Sequence, residues 1–284
     1  MASIRVGVVG ATGRMGRTVC DAVVDADGLE LVAVVDVDGG DTIHGLTVSS
    51  DLRALAEASC DVVVDFTTAE AARVTLPFLA LHGIHAVVGT TGFDDDDIAS
   101  FVSAFAASDA NCLIAANFAI SAVLMMKFAA EAAAFFETAE IIELHHDEKI
   151  DAPSGTALAT ARVMRPAESG WADDPTEVEE PQGARGGLGP NGVRIHSVRM
   201  RGMTAHQEVI LGAQGQTLSI RQDSYDRTSF MPGVVLACRR IATADGLSTV
   251  LTRCCSGCGC SLTSDQPSVH DMSAPQHSGD LILP

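Results

Sequence analysis

Two imidazoles, an ammonium and a helix-start signal share the thirteen residues His145-His146-Asp147-Glu148-Lys149-Ile150-Asp151-Ala152-Pro153-Ser154-Gly155-Thr156-Ala157. The chain has two lysines, Lys127 and Lys149, and one of them is here. In a protein of formal net charge −19 this is a concentration of positive charge and of proton donors. Pro153-Ser154-Gly155-Thr156 has the composition of a helix start capped by Ser154. The free N–H groups of such a turn, with the Thr156 hydroxyl, would receive a carboxylate. A charged imidazole and an ammonium can each give a proton. Taken singly, a His pair at a strand end and a lysine after it are ordinary structural residues. Their coincidence beside an anion-binding turn points to a small anion that is held and protonated. No third ligand with suitable spacing lies near, so the pair is not a metal signature. His206 reads equally as a polar contact or as an edge-strand histidine.

A second chemical feature lies at the other end of the chain. Gly10-Ala11-Thr12-Gly13-Arg14-Met15-Gly16 follows a β-like run and opens a helical one. Glycines spaced this way allow a tight turn and close backbone approach to a pyrophosphate, which the helix N-terminus then favours. Asp36 ends the next strand, where an acid can take the ribose hydroxyls. Asp36 would repel a 2′-phosphate and Arg14 could compensate, so the choice between NADH and NADPH stays open. Phe66-Thr67-Thr68 and Gly89-Thr90-Thr91-Gly92 fall at strand ends on the same edge. Gly89, Thr90 and Thr91 would reach the ribose or nicotinamide; Thr67 and Thr68 read equally as a plain turn with a helix cap. Ala116-Asn117-Phe118 would serve as cofactor contact and hinge.

Positioning these groups requires two kinds of domain. Strands are expected at Ile4–Val9, Glu30–Val35, Asp61–Phe66, Ile84–Val88 and Cys112–Ala116, with helices at Met15–Ala26, Ala69–Leu81 and Asp95–Ala107. Near-continuous apolar strands alternating with helices predict a parallel sheet covered on both faces. The Asp94–Asp97 run suits a helix N-terminus. Beyond it, Ile120–Phe136 is an apolar helix with Met125 and Met126 as core, Thr138–Leu144 a strand, Ser154–Met164 a helix and Ala167–Pro190 a long loop. Val193–Met200, His206–Ala213 and Gln216–Gln222 read as three consecutive strands, and Ser229–Ala244 as a helix returning to the first domain. The fold class is α/β: an N-terminal Rossmann-type, doubly wound parallel sheet plus a C-terminal α+β domain. The expected division is 1–116 with the returning helix at about 229–250, then 117–228, then a tail at 251–284.

Composition narrows the partners. The acidic balance argues against nucleic acid and anionic membrane surfaces, no apolar run approaches a membrane span, and no secretory signal is visible. The chain reads as a soluble, cytoplasmic protein. Cys20, Cys60, Cys112 and Cys238 sit in apolar surroundings and read as small buried hydrophobes.

With these residues in place, Gly10–Gly16, Gly89–Gly92, Asn117-Phe118 and the run from Glu143 to Ala157 resemble the dihydrodipicolinate reductase family. Arg201–Glu208 and Asp226–Gly233 are similar to it as well. The resemblance runs in order from about Ile4 to Ala242. It implies a homotetramer that uses NADH or NADPH to reduce a small cyclic dicarboxylate, 4-hydroxy-tetrahydrodipicolinate, in lysine and diaminopimelate biosynthesis. It also implies His145 and Lys149 as the proton-donating pair, and His146, Gly155 and Thr156 as holders of the substrate carboxylates. The cofactor would lie on Gly10, Ala11, Thr12, Gly13, Arg14, Met15, Asp36, Gly89, Thr90, Thr91, Ala115, Ala116, Asn117 and Phe118.

The tail departs from that family. Cys254, Cys255, Cys258 and Cys260 precede a Ser/Pro/His-containing stretch to Pro284 without helical or strand period. A disordered extension, a stretch read out of frame, a soft-metal site and a redox site are the readings of that composition. Other functions make different demands. A short-chain dehydrogenase would need a Tyr with Lys four residues later, but Tyr225 is followed at that spacing by Ser229. An aldehyde-oxidising relative would need a nucleophilic Cys near the nicotinamide, but Cys112 lies one strand end away and inside its strand. A non-catalytic nucleotide sensor would need the glycine loop without His145 and Lys149, and a reductase inactivated by its altered tail would behave like one.

Overall fold

The structure is a computed structural model that describes residues 2–115, 117–244 and 246–248. In chain order its elements are β1 (Ile4–Val9), α1 (Arg14–Asp25), β2 (Leu29–Val35), β3 (Thr42–Ile43), β4 (Leu46–Thr47), α2 (Arg53–Glu57), β5 (Val62–Asp65), α3 (Ala69–Leu81), β6 (His85–Val88), α4 (Asp95–Ala106) and β7 (Cys112–Ile114). There follow α5 (Ile120–Ala133), β8 (Thr138–His145), α6 (Gly155–Val163), β9 (Gly187–Leu188), β10 (Arg194–Arg199), β11 (Ala205–Ala213), β12 (Gln216–Ser224), α7 (Met231–Arg240) and β13 (Leu247–Ser248).

Six strands in the order β13-β7-β6-β5-β1-β2 form a wholly parallel sheet. Its strands are apolar on both faces because both are covered. On one face Val6, Val8, Val62 and Val64 pack with Val19 and Val23 of α1 and Val234, Ala237 and Cys238 of α7. On the other, Val9, Val63 and Val88 pack with Leu55 of α2, Leu76 and Leu79 of α3, and Phe101 and Phe105 of α4. The chain leaves β1 for β2 on one side and later enters β5 on the other, so the switch point lies at the carboxyl end of β1, where the glycine loop begins.

The second sheet has the order β12-β11-β8-β10-β9. The three consecutive strands read from the sequence are present as β10, β11 and β12, but β10 and β11 are not neighbours in the sheet. β8 lies between them, parallel to β10 and antiparallel to β11. Arg199 and Ala205 both pair with His145, so the connection 200–204 passes over the end of β8. α5 and α6 cover one face of this sheet, where Met125, Ala129, Ala157 and Ala161 pack on Ile141, Ile195, Val209 and Leu211.

Helix starts follow the local sequence. Thr68 caps α3, Asp94 and Asp97 form a reciprocal capping box on α4, and Ser154 caps α6 through the Ala157 amide. The predicted Ser229–Ala244 helix is broken into a 3-10 turn at Arg227–Phe230, α7, and a second such turn at Ile241–Thr243. Pro232 stands in the first turn of α7, where its missing N–H does no harm. Ile120–Phe136 ends three residues early, at Ala133.

Candidate active site

The register of the second sheet decides which side chains meet. On the face covered by α5 and α6, Ile141 pairs with Ile195 and Val209, then Glu143 with Gln207, then His145 with Arg199 and Ala205. Gln222 and Ser224 of β12 pair in turn with Gln207 and Ala205. One face is thus apolar at one end and polar at the other. Over the polar end lies a cavity of about 170 Å³, lined by Asn117, His145, Thr156, Ala205, His206, Gln207, Gln222, Ser224 and Phe230. A wider depression of about 430 Å³ between α3 and α4 is bordered by Pro77, Ala80, Leu81 and Ala104, with Asp109 as its sole charged residue. The smaller cavity is the one where polar groups converge.

Glu143 organises that end. Its side chain is fully buried, and its Oε2 accepts from His145 Nδ1 at 2.5 Å and from Arg199 Nη1 at 2.9 Å. Its Oε1 accepts from Arg199 Nη2 at 2.8 Å and from the Ser154 amide at 3.2 Å. Burial alone would raise the Glu143 pKa, but these donors outweigh it and bring it down to about 2, so the carboxylate is ionised. Asn117 Nδ2 donates to Thr156 Oγ1 at 3.3 Å, while its Oδ1 takes the Ala119 amide at the start of α5. Thr160 donates its hydroxyl to Thr156 O and therefore accepts from Gln207 Nε2 at 2.8 Å, which leaves Gln207 Oε1 without a partner among the described residues.

Of the predicted substrate residues, His145 and Thr156 line the cavity, and Gly155 is exposed in the first turn of α6 beside Thr156. His146 is exposed and outside the lining. Lys149 is also outside it; its Nζ donates to Asp151 Oδ1 at 2.6 Å, and that bond lowers the Asp151 pKa. His206 borders the cavity, but its Nδ1 meets Asp223 at 2.7 Å and its Nε2 takes the Thr204 amide at 3.3 Å. Both nitrogens are engaged within the fold.

The glycine loop closes tightly on itself. Gly10 has φ +77, and a Cβ on Gly16 would stand 2.0 Å from Gly10 O. The amides of Gly10 and Ala11 donate to Val35 O, that of Gly13 to Gly10 O, and that of Thr12 to Asp36 Oδ2 at 2.9 Å. Asp36 also accepts the Thr12 hydroxyl at 2.6 Å; burial raises its pKa, and the Thr12 and Val37 hydrogen bonds outweigh that and lower it. Helix α1 begins without a side-chain cap, and Arg14 is exposed at its first position while Met15 is half-buried. A tight glycine cradle, an uncapped helix start and an ionised acid at the end of β2 fit a dinucleotide. Gly89 lies against the Phe66 ring, and that ring packs on Phe118 at 5.7 Å. Phe118 is buried, so its side chain is core, and it links the cofactor edge to Asn117 at the cavity. Ala115 is buried with its amide on Val88 O; Ala116 and the four tail cysteines lie outside the described residues.

Sequence reasoning missed Asp65. It ends β5 fully buried, and its Oδ1 takes Thr67 N, Thr67 Oγ1 and Thr90 Oγ1. Burial raises its pKa against those bonds. It fixes Thr67 and Thr90 to each other, and an acid closing the apolar run Val62-Val63-Val64 was the available signal. Arg199 was missed too; an arginine ending a strand level with His145 becomes visible only once the register is known. Cys20, Cys60, Cys112 and Cys238 are buried, and burial raises the pKa of Cys112, which removes the nucleophile that an aldehyde oxidation needs. Among the described residues no group of three or more His, Cys, Asp or Glu is placed to hold a metal, and no helix is long and apolar enough to cross a membrane.

Comparison with known proteins gives a consistent result. Residues 4–118 match the family profile "Dihydrodipicolinate reductase, N-terminus" and residues 121–252 match "Dihydrodipicolinate reductase, C-terminus". The chain is 51% identical over 252 residues to 4-hydroxy-tetrahydrodipicolinate reductase of Corynebacterium efficiens, covering 88% of this chain and 97% of that protein. The same enzyme of Nocardia farcinica is 50% identical over 256 residues, again with 88% and 97% covered. Among solved structures, a dipicolinate-bound dihydrodipicolinate reductase from Paenisporosarcina sp. TG-14 superposes with a TM-score of 0.81 at 37% identity, covering 88% of this chain and 99% of that one.

Proposed function

The chain belongs to the dihydrodipicolinate reductase family, and on that premise we propose which of its residues carry the reaction. The enzyme reduces 4-hydroxy-tetrahydrodipicolinate with NADH or NADPH in lysine and diaminopimelate biosynthesis. Its substrate is a small cyclic dicarboxylate.

In the proposed arrangement the nucleotide rests on Gly10–Met15, with Asp36 at the adenosine ribose and Gly89–Thr91 and Ala115–Phe118 at the nicotinamide end. When bound, the cofactor supplies the hydride. The amides of Gly155 and Thr156 and the Thr156 hydroxyl receive one substrate carboxylate at the uncapped part of α6. His146 holds the substrate from the mouth of the cavity, and Lys149, its ammonium kept in place by Asp151, is the second member of the proton-donating pair with His145. His145 gives the proton that quenches the negative charge left on the conjugated C=C–C=N system after reduction. The observation that carries this reading is His145 and Thr156 in one small polar cavity joined through Asn117 and Phe118 to the cofactor edge.

The domain boundaries near residues 116 and 228, a cytoplasmic location and a homotetramer belong to the same proposal. The outer face of the second sheet supports assembly, since Ile142, Leu144 and Ile210 are only half-buried there. The reading is tested by following oxidation of NADH and of NADPH by the purified full chain, with substrate generated in place by the preceding synthase. Turnover that depends on the synthase supports it; cofactor binding without turnover overturns it.

A further inference from the structure

Glu143 is the one charged residue of the second sheet whose side chain has no exposure, and it is not a surface ion pair that could be lost without consequence. Every hydrogen bond it makes is accepted, and its donors come from three places: His145 on its own strand, Arg199 and Ser197 on β10, and the amide of Ser154, whose side chain caps α6. A carboxylate can only accept, so the nitrogen of His145 that faces it carries a proton whatever the charge of the ring. Nε2 is then the nitrogen left for the cavity that His145 lines. The same carboxylate holds the first turn of α6, where the substrate carboxylate is proposed to sit.

We propose that Glu143 is the positioning residue of the proton donor: it keeps the Nδ1 proton of His145 in place, so that Nε2 both delivers the proton and is reloaded from solvent, and it ties this nitrogen to the turn that receives the substrate carboxylate. This rests on the assignment of His145 made above. In the step itself the proton leaves Nε2 for the reduced substrate, and the neutral ring remains with Nδ1–H donated to Glu143. Solvent then returns a proton to Nε2. A carboxylate behind an imidazole that fixes tautomer and orientation is a general device of proton-transferring sites. Arg199 makes it affordable here, because an unpaired buried carboxylate would be strongly disfavoured. Arg199 also donates to Asp151 O, which anchors the segment carrying Lys149.

The charged and titratable groups around His145 are few. Glu143 lies on its own strand, Arg199 opposite on β10, and His206 with Asp223 borders the cavity from β11 and β12. The Lys149–Asp151 pair lies in the following segment, and the start of α6 brings Thr156 and no charge. Removing the negative charge of Glu143 while Arg199 stays therefore disfavours protonated His145, and the limb of the pH profile on which the acid is lost moves to lower pH.

The test uses the full chain. Glu143→Gln removes the negative charge, leaves Arg199 in place, and keeps an amide of the same size whose oxygen can still accept from the Arg199 guanidinium. It is expected to bind NADH and NADPH as the wild type does. At neutral pH its kcat/KM should fall by about tenfold or more, with the descending limb displaced to lower pH. Glu143→Asp, which keeps the charge, should leave the limb in place and recover part of the turnover. An unmoved limb in Glu143→Gln overturns the proposal, whether turnover is kept or lost. Should that variant not fold, 15N-histidine NMR of the wild type answers alone: neutral His145 protonated at Nδ1 supports the proposal, and protonation at Nε2 overturns it. A parallel His145→Gln variant separates the two layers. Normal turnover there removes the assignment of His145 itself, whereas lost turnover with an unmoved limb in Glu143→Gln removes only the role of Glu143.

Discussion

Gly16→Ala is the sharpest steric test of the cofactor loop. A methyl group at this position would stand 2.0 Å from Gly10 O, 2.7 Å from Gly10 C and 2.8 Å from the Ala11 Cα. All three are backbone atoms, so no side chain can swing away to make room. Restoring van der Waals contact needs the start of α1 and the loop to separate by about 1 Å. That separation pulls on the Gly10 and Ala11 amides, which donate to Val35 O at 2.9 and 3.2 Å. Overpacking of this kind costs about 1–3 kcal/mol. If the displaced loop is the one that holds the pyrophosphate, the same energy appears in binding as a roughly tenfold to hundredfold weaker Kd. The assay is fluorescence titration of NADH and NADPH, with thermal unfolding alongside. Gly28→Ala is the control: Gly28 has φ +78 but a Cβ there meets nothing within 4 Å. That substitution should lower stability by about 1 kcal/mol through backbone strain and leave cofactor affinity unchanged. A Gly16→Ala protein with wild-type affinity for both nucleotides would refute the assignment of this loop.

Three further outcomes are expected. Lys149→Ala should keep cofactor binding and lower turnover by about two orders of magnitude, read by the same nicotinamide assay; near-normal turnover would exclude Lys149 from the chemistry. Gly155→Ala should fold and bind cofactor normally, because its Cβ meets nothing within 4 Å; a raised KM for the dicarboxylate would place the carboxylate against this turn, and an unchanged KM would remove it. The Glu143 carboxyl has its pKa brought from 4.5 down to about 2 in the fold. A group whose folded pKa is depressed contributes stability above its unfolded value, and loses it as pH falls through the folded one. Thermal melts taken through that interval should therefore show an acid-labile component that is missing in Glu143→Gln/Arg199→Gln; identical acid profiles for the two proteins would contradict it.

The features legible in the sequence were those set by local chemistry. The strand–glycine loop–helix unit, the caps Thr68, Asp94 and Ser154, and the apolar strands of the parallel sheet follow from turn requirements and from burial on both faces. Short elements escaped. The hairpin of β3 and β4 turns through His44 and Gly45, both at positive φ, and offers only Gly45 as a signal. Residues meeting through strand register escaped as well. Nothing local says that β8 inserts between β10 and β11, and that insertion is what brings Arg199 and Gln207 beside His145 and Glu143. The converse also holds: His146 and Lys149 are near His145 in the chain, yet the strand ends at His145, and the turn beyond it directs them outside the cavity lining.

The central claim is that hydride from the nicotinamide and the proton from His145 meet in this cavity. Single-turnover oxidation of pre-bound NADH or NADPH, on mixing with synthase-generated substrate, measures that step in the wild type and in His145→Gln. The account predicts rapid oxidation in the wild type, and a rate at least about a hundredfold lower in the variant with cofactor affinity unchanged. Equal rates in the two proteins would contradict it.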